Sequence, residues 1–451
     1  MKRHFMNVIP CTGKMKPMRK LTIVAALICS MITWAQQTPA LAQKGAFTIM
    51  NATAHIGDGS VIENSIIVVE EGKITTIADA TTVKMQPKGR VINAEGQHVY
   101  PGIIAMNATL GLVEVDAVKA SDDEREIGTY NPHVRSVIAY NAESRVVESM
   151  RPNGVLMAQI VPRGGRISGK SSVVQLDAWN WEDASLLTDE GVHINWPSSF
   201  RRTGSWYNPG PIEPSKDYEK QVRELTDFVN NAKAYNATES KTGLNLKYAA
   251  LNDAINGKQT VYFHVDGEKG IRDVLNFINK NGIQRPVLVG AREADKVAKT
   301  LVAMKVPVLA GRTHSLPSAE DEDFDLPYKF PKMLADKGVL VALENSGDME
   351  RHQTRNFPFL AGTVAGYGMD MEEALKLITL NPAKILGIDD KYGSLEEGKM
   401  ATLFISKGNA LEMMGNVLTH AFIDGREISL DSHQTELYER YMEKYGLEVK
   451  R

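Results

Sequence analysis

Four short apolar runs in the middle of the chain, at residues 261–264, 286–289, 306–309 and 339–343, set the strongest limit on its fold. Runs of this length that are apolar on both faces read as buried parallel strands. Helical patterning lies between them. Ile271, Val274, Leu275 and Ile278 recur at i, i+3, i+4 and i+7, and Ala291, Ala294, Ala298 and Leu301 mark a second helical face. Strand–helix alternation sustained over roughly 290 residues predicts a closed (β/α) barrel in preference to an open sheet, because the number of units is high.

The flanks read differently. Residues 47–54, 65–70 and 73–78 are β-rich, with Gly57-Asp58-Gly59 and Glu71-Gly72 as turns. After Asn381-Pro382 the β character returns at 401–405 and 417–423, with Asp424-Gly425 as a hairpin turn. A last helix puts Leu437, Tyr438, Tyr441, Met442 and Tyr445 on one face. The fold class expected is therefore α/β. It combines a (β/α)8 TIM-like barrel over 99–390 with a small β-sandwich composed of 43–98 and 391–431, and a C-terminal helix over 432–451.

The first 42 residues belong to neither part. Lys14, Lys16, Arg19 and Lys20 precede an apolar run at 21–34, followed by Ala40-Leu41-Ala42. A basic region, a short apolar region and an A-x-A site predict a secretory signal cut before Gln43, with an uncleaved membrane anchor as the alternative. The expected location is periplasmic or secreted. Both cysteines, Cys11 and Cys29, fall in this leader, so the mature chain would have no disulfide, thiol nucleophile or thiolate ligand. Removing the leader leaves 46 basic against 55 acidic residues, a net charge of −9. An acidic exported protein is a poor candidate for binding nucleic acid.

Several phrases resemble one family. Gln97-His98-Val99-Tyr100-Pro101-Gly102-Ile103-Ile104 resembles the strand that opens the barrel of the amidohydrolase superfamily. The stretch from Ala374 through Asn381-Pro382 to Gly387 resembles its last barrel helix, and Gly393-Ser394-Leu395-Glu396-Glu397-Gly398-Lys399 its return to the β-sandwich. Pro162-Arg163-Gly164-Gly165 and Ser168-Gly169 bring the resemblance closest to the exported, imidazolonepropionase-like branch. Such a resemblance implies a metal-dependent hydrolase of C–N bonds in amides, imides or cyclic ureas. A divalent metal, zinc being the expected one, lowers the pKa of bound water and polarises the carbonyl, and a carboxylate takes the proton.

The ligand positions depart from that pattern. Where the resemblance implies two histidines after Pro101-Gly102, the chain has Asn107 and Thr109. These can hold a substrate by hydrogen bonds but bind a transition metal poorly. His264 matches the ligand at the end of the fifth strand, while Gly290 stands where the sixth-strand histidine is expected. Asn345 takes the place of the last-strand aspartate and cannot act as a base near neutral pH. Glu344 and Asp348 stand close enough for a small slip to supply a carboxylate. Arg312-Thr313-His314 and Arg351-His352 sit at predicted barrel mouths, and His314 is a candidate contact to substrate. Lys170 reads as a solvated side chain in a Gly/Ser-rich loop, and His98, His133, His193, His420 and His433 carry no constellation.

The candidate site thus comprises Asn345, Glu344 and Asp348 for catalysis, Asn107, Thr109 and His314 for substrate, and His264 for metal. One imidazole cannot hold a catalytic zinc, which takes about three protein ligands. Three functions remain open: a hydrolase of non-peptide C–N bonds with a degraded site and weak activity, a catalytically inactive subunit, or a periplasmic small-molecule binding protein. The expected partners are a small-molecule substrate or ligand, and a second copy of the chain or an active relative.

Overall fold

The computed structural model describes residues 38–205, 207–238, 243–347 and 349–449. Chain contacts divide at Thr38, and all the elements below belong to the unit from Pro39 onward. The expected signal segment lies, up to residue 37, outside the described residues.

Both terminal segments build one eight-stranded sheet. Its N-terminal strands are β1 (Phe47–His55), β2 (Val61–Glu70), β3 (Lys73–Asp79), β4 (Arg90–Asn93) and β5 (His98–Pro101). The C-terminal segment adds β16 (Leu403–Ser406), β17 (Leu418–Ile423) and β18 (Arg426–Glu427). Strand order is β18-β17-β16-β5-β1-β2-β3, with β4 beside β1. The two ends of the chain meet where β5 pairs antiparallel with β16, Tyr100 opposite Phe404. The pairing is that of one continuous sheet, where two stacked sheets were expected. Glu71 and Gly72 both have positive φ, as do Asp424 and Gly425, so each pair makes the tight turn that suits right-twisted hairpins.

A single residue, Gly102, separates β5 from the first barrel strand, β6 (Ile103–Ala108). The barrel continues with β7 (Val155–Ile160), β8 (Ile167–Gln175) and β9 (Ser185–Asn195). A two-stranded hairpin, β10 (Phe200–Ser205) and β11 (Asn208–Pro214), follows. The remaining barrel strands are β12 (Thr260–Val265), β13 (Pro286–Gly290), β14 (Val308–Ala310) and β15 (Val341–Leu343). These four are the apolar runs read from the sequence. The eight-stranded sheet is nearly closed, with one parallel bridge between Met106 and Glu344 joining its edges.

The barrel corrects a strict (β/α)8 expectation. β8 runs antiparallel to both neighbours, and no helix joins it to β7. Between β8 and β9 there is only the four-residue turn of helix Trp181–Ala184. Lys170, expected in a loop, lies within β8.

Longer helices cover the outside: α1 (Tyr218–Ala237), α2 (Glu268–Asn281), α3 (Ala298–Met304), α4 (Leu326–Asp336) and α5 (Phe357–Gly366). The four apolar residues of α2 picked out by periodicity are all buried. Strand alternation divides the core in two. Ile103, Ala105, Ala158, Phe263, Leu288 and Val308 pack outward beneath the helices. Ile104, Met106, Met157, Val173, Tyr262, Val287 and Leu309 form a separate inner cluster. A C-terminal helix, α6 (His433–Tyr445), starts from a capping box at Ser432 and buries none of its residues.

Candidate functional site

Above the apolar inner layer the same strand parity points polar side chains inward. Gln159 follows Met157 by two residues, Ser171 precedes Val173 by two, and His264 follows Tyr262 by two. Together with His193 of β9 they form a hydrogen-bonded chain. Ser171 Oγ donates to Glu190 Oε1 at 2.5 Å, and Gln159 Nε2 donates to the same oxygen at 2.6 Å. Tyr262 donates its hydroxyl to Glu190 Oε2 at 3.1 Å. His193 Nε2 lies 2.9 Å from Ser171 Oγ, and its Nδ1 lies 2.9 Å from His264 Nε2.

With Glu190 ionised, donor counting orders the tautomers. Ser171 has one hydrogen and gives it to Glu190, so His193 donates from Nε2 and accepts at Nδ1. His264 must then donate from Nε2, which leaves its only lone pair at Nδ1. Burial, reinforced by the charge of Arg163, pushes His264 down to about 3. His193 lies well below the usual histidine range for the same principal reason, burial, with His264 and Arg163 adding to it. Both imidazoles are neutral near pH 7. Glu190 is shifted the other way, upward, by burial.

Gln159 links this chain to a second cluster at the barrel mouth, since its Oε1 accepts from the Asn107 backbone N–H at 3.1 Å. Asn107 has φ +53°, a left-handed backbone that breaks the strand's alternation. Its Nδ2 donates to Glu344 Oε2 at 3.0 Å. Arg163 donates to Asn107 Oδ1 and to Asn107 O, both at 2.7 Å. The same guanidinium reaches both carboxylate oxygens of Glu350, at 3.0 and 3.1 Å. Thr109 Oγ1 donates to Glu350 Oε1 at 2.5 Å. Asn345 Nδ2 donates to the Glu350 carbonyl at 3.1 Å. Burial raises the pKa of Glu344, against the opposing pull of the Ser346 and Asn107 hydrogen bonds and of Arg163.

Asn107, Thr109, Glu344 and Asn345 therefore come together, and His264 is linked to them through His193, Ser171, Glu190 and Gln159. His314 does not. It lies on the loop after β14 and makes its bond to Thr363 Oγ1 on α5, 2.7 Å away. Asp348 lies outside the described residues. His193, read as carrying no constellation, is at the centre of one. Arg351 turns away from this cluster and pairs with Asp116 and Glu124.

With Arg163 in place, these residues do not fit a divalent metal. Among the described residues no three His, Cys, Asp or Glu side chains are grouped to hold one. Asn107 and Thr109 present hydrogens to the neighbouring carboxylates, and Gly290 presents no side chain. The positive charge of Arg163 lies among the remaining donors and repels a second cation. The space bounded by Asn107, Asn345, Glu350 and Thr354 has no room for a water molecule.

Residues 328–428 match the amidohydrolase family. Over 388 residues the chain is 20% identical to an amidohydrolase of Hapsidospora irregularis, a match covering 80% of this chain and 39% of that protein. It is 33% identical over 84 residues to the imidazolonepropionase of Syntrophobacter fumaroxidans, 18% of this chain and 20% of that one. The matches thus span well under half the length of either curated relative. In fold it is similar to an amidohydrolase from Thermotoga maritima MSB8, with a TM-score of 0.72 at 23% identity, covering 84% of this chain and 99% of the other. The family match is thus confined to residues 328–428, and over most of the chain the likeness to a solved amidohydrolase is one of fold.

Proposed function

We propose that this chain is a non-catalytic subunit built on the amidohydrolase fold, one that associates with its own copies or with a catalytically complete relative. The observation that carries this reading is the ion pair of Arg163 with Glu350, clamped by Asn107, at the barrel mouth. Metal-assisted C–N hydrolysis needs an electrophilic cation with an open position for water. The polar groups here are committed to one another, and the cation among them is the guanidinium of Arg163. A small-molecule binding role at the barrel mouth has less support, because a ligand site takes a cavity of roughly 300–1,000 Å³, and no such space opens between Asn107 and Glu350.

One observation favours a second reading, weak hydrolysis of C–N bonds without the usual ligand set. Glu344 directly follows the last barrel strand, and its raised pKa suits proton exchange nearer neutrality than an ordinary carboxylate. Native mass spectrometry of the purified protein, paired with a turnover screen on amides, imides and cyclic ureas, separates the readings. The expected result is a complex with no metal adduct and no turnover. Stoichiometric zinc with activity lost in His264→Ala would overturn the proposal, and so would a lone monomer. Metal-free turnover abolished by Glu344→Gln would establish the second reading instead.

A further inference from the structure

We propose that Arg163 is the resident cation of this barrel, held by an oxygen cage that would take a hard divalent cation, calcium above all, if the guanidinium were removed. The inference rests on the metal-free reading above and goes on to assign what holds the mouth together in its place.

Four oxygens surround the guanidinium: the carbonyl and Oδ1 of Asn107, and both carboxylate oxygens of Glu350. They come from opposite edges of the nearly closed sheet. Asn107 belongs to the first barrel strand, Glu350 follows the last, and Arg163 follows the second. One side chain thus ties three strand ends together. The left-handed backbone of Asn107 is what aims its carbonyl and its side-chain oxygen at one point. The side chains of Arg163 and Glu350 are only 17% and 9% exposed, so the pair is largely shielded from water. Thr109 holds Glu350 Oε1 from the far side, and the Gly347 backbone N–H donates to Oε2 at 3.2 Å. The carboxylate is therefore pinned from two directions, independently of the arginine.

A backbone carbonyl, an amide oxygen and a carboxylate presenting both its oxygens make an oxygen-only donor set. Such sets select calcium or magnesium over zinc, which prefers nitrogen and sulfur. Calcium suits this cage better than magnesium, because it tolerates irregular geometry and a bidentate carboxylate. In the natural chain the cage is filled by the guanidinium, whose Nη2 reaches both Glu350 carboxylate oxygens and the Asn107 carbonyl while Nη1 reaches Asn107 Oδ1.

The test is thermal unfolding and calorimetric titration of the full chain with calcium chloride, using Arg163→Ala, Arg163→Lys and Arg163→Ala/Glu350→Gln. The natural protein is expected to ignore both calcium and chelator. Arg163→Ala should lose about 5 °C or more in Tm and recover part of it with calcium but not with sodium. Arg163→Lys, which keeps a positive charge, should lose less and show no calcium response. The double variant should melt above Arg163→Ala, because the unpaired buried carboxylate is gone, and should not bind calcium. This double variant keeps the test decisive if Arg163→Ala does not fold. Equal melting of Arg163→Ala and the natural chain, no calcium response in Arg163→Ala, or a double variant no better than the single would each overturn the inference. Stoichiometric zinc and turnover in the natural chain would overturn the metal-free reading instead, so the two failures are distinct.

Discussion

His264 and His193 show how burial decides the protonation of single residues here. An imidazole whose folded pKa is about 3 against an ordinary value of 6.5 refuses a proton that the unfolded chain accepts. Stability from His264 is therefore fully present above pH 6.5 and is lost as pH falls toward 3. Glu190 and Glu344 act with the opposite sign. Their raised pKa values favour the folded state at low pH and cost stability as pH rises past 4.5. The total pH profile mixes the two, but a difference between variants isolates one. His264→Gln keeps a donor toward His193 and removes the titration. Between pH 7 and pH 4 it should lose less stability than the natural chain by at most about 3 kcal/mol. Urea unfolding at the two pH values measures this, and parallel losses would show that His264 does not titrate as argued.

At the scale of elements, β9 owes its place to Gly191. A β-carbon there would lie 2.4 Å from the ring of Tyr262, which stacks on His193 with centroids 4.5 Å apart. Gly191→Ala must push that ring away from His193 and its hydroxyl away from Glu190. Overpacking of this kind costs about 1–3 kcal/mol, and a chemical-denaturation midpoint equal to that of the natural chain would disprove it. The same strands mark the limit of what could be read from sequence. β12 to β15 are legible because both faces are buried in apolar contacts, which leaves an uninterrupted hydrophobic run. β8 and β9 carry Ser171, Glu190 and His193 on the inward face, and the Gly164-Gly165 and Ser168-Gly169 pairs look like loop. A polar inner layer hides a strand from any rule built on hydrophobicity. The site divides in the same way. Asn107, Thr109, Glu344 and Asn345 are found by position at strand ends. Arg163 and Glu350 are missed, because nothing local says that an arginine on a loop turns inward to a partner 187 residues away.

For the whole molecule the question is what joins the terminal sheet to the barrel, and one buried carboxylate answers much of it. Asp177, two residues past β8, accepts from Arg151 at 2.6 Å through Oδ1. Its Oδ2 accepts from Arg426 of β18 at 3.1 Å and from the backbone N–H of Ala40 at 2.8 Å. Arg426 also donates to the Gln175 side chain and the Asp177 carbonyl, each at 3.2 Å. Barrel, terminal sheet and N-terminal segment thus converge on a group that is 4% exposed. Two cations share this one carboxylate, and burial already lowers the pKa of Arg151. Asp177→Asn preserves the shape and removes the charge, leaving both guanidinium groups without it. Breaking a buried pair from one side costs about 3–5 kcal/mol, more than the pair itself contributes, because the remaining charge stays desolvated. If Asp177 also couples the two parts, its loss should do more than lower the melting temperature. Calorimetry should then resolve two transitions in Asp177→Asn, the terminal sheet melting apart from the barrel, where the natural chain is expected to show one. A variant that unfolds in one transition at an unchanged temperature would mean that the β5–β16 pairing and the Gly102 junction hold the two parts together without Asp177.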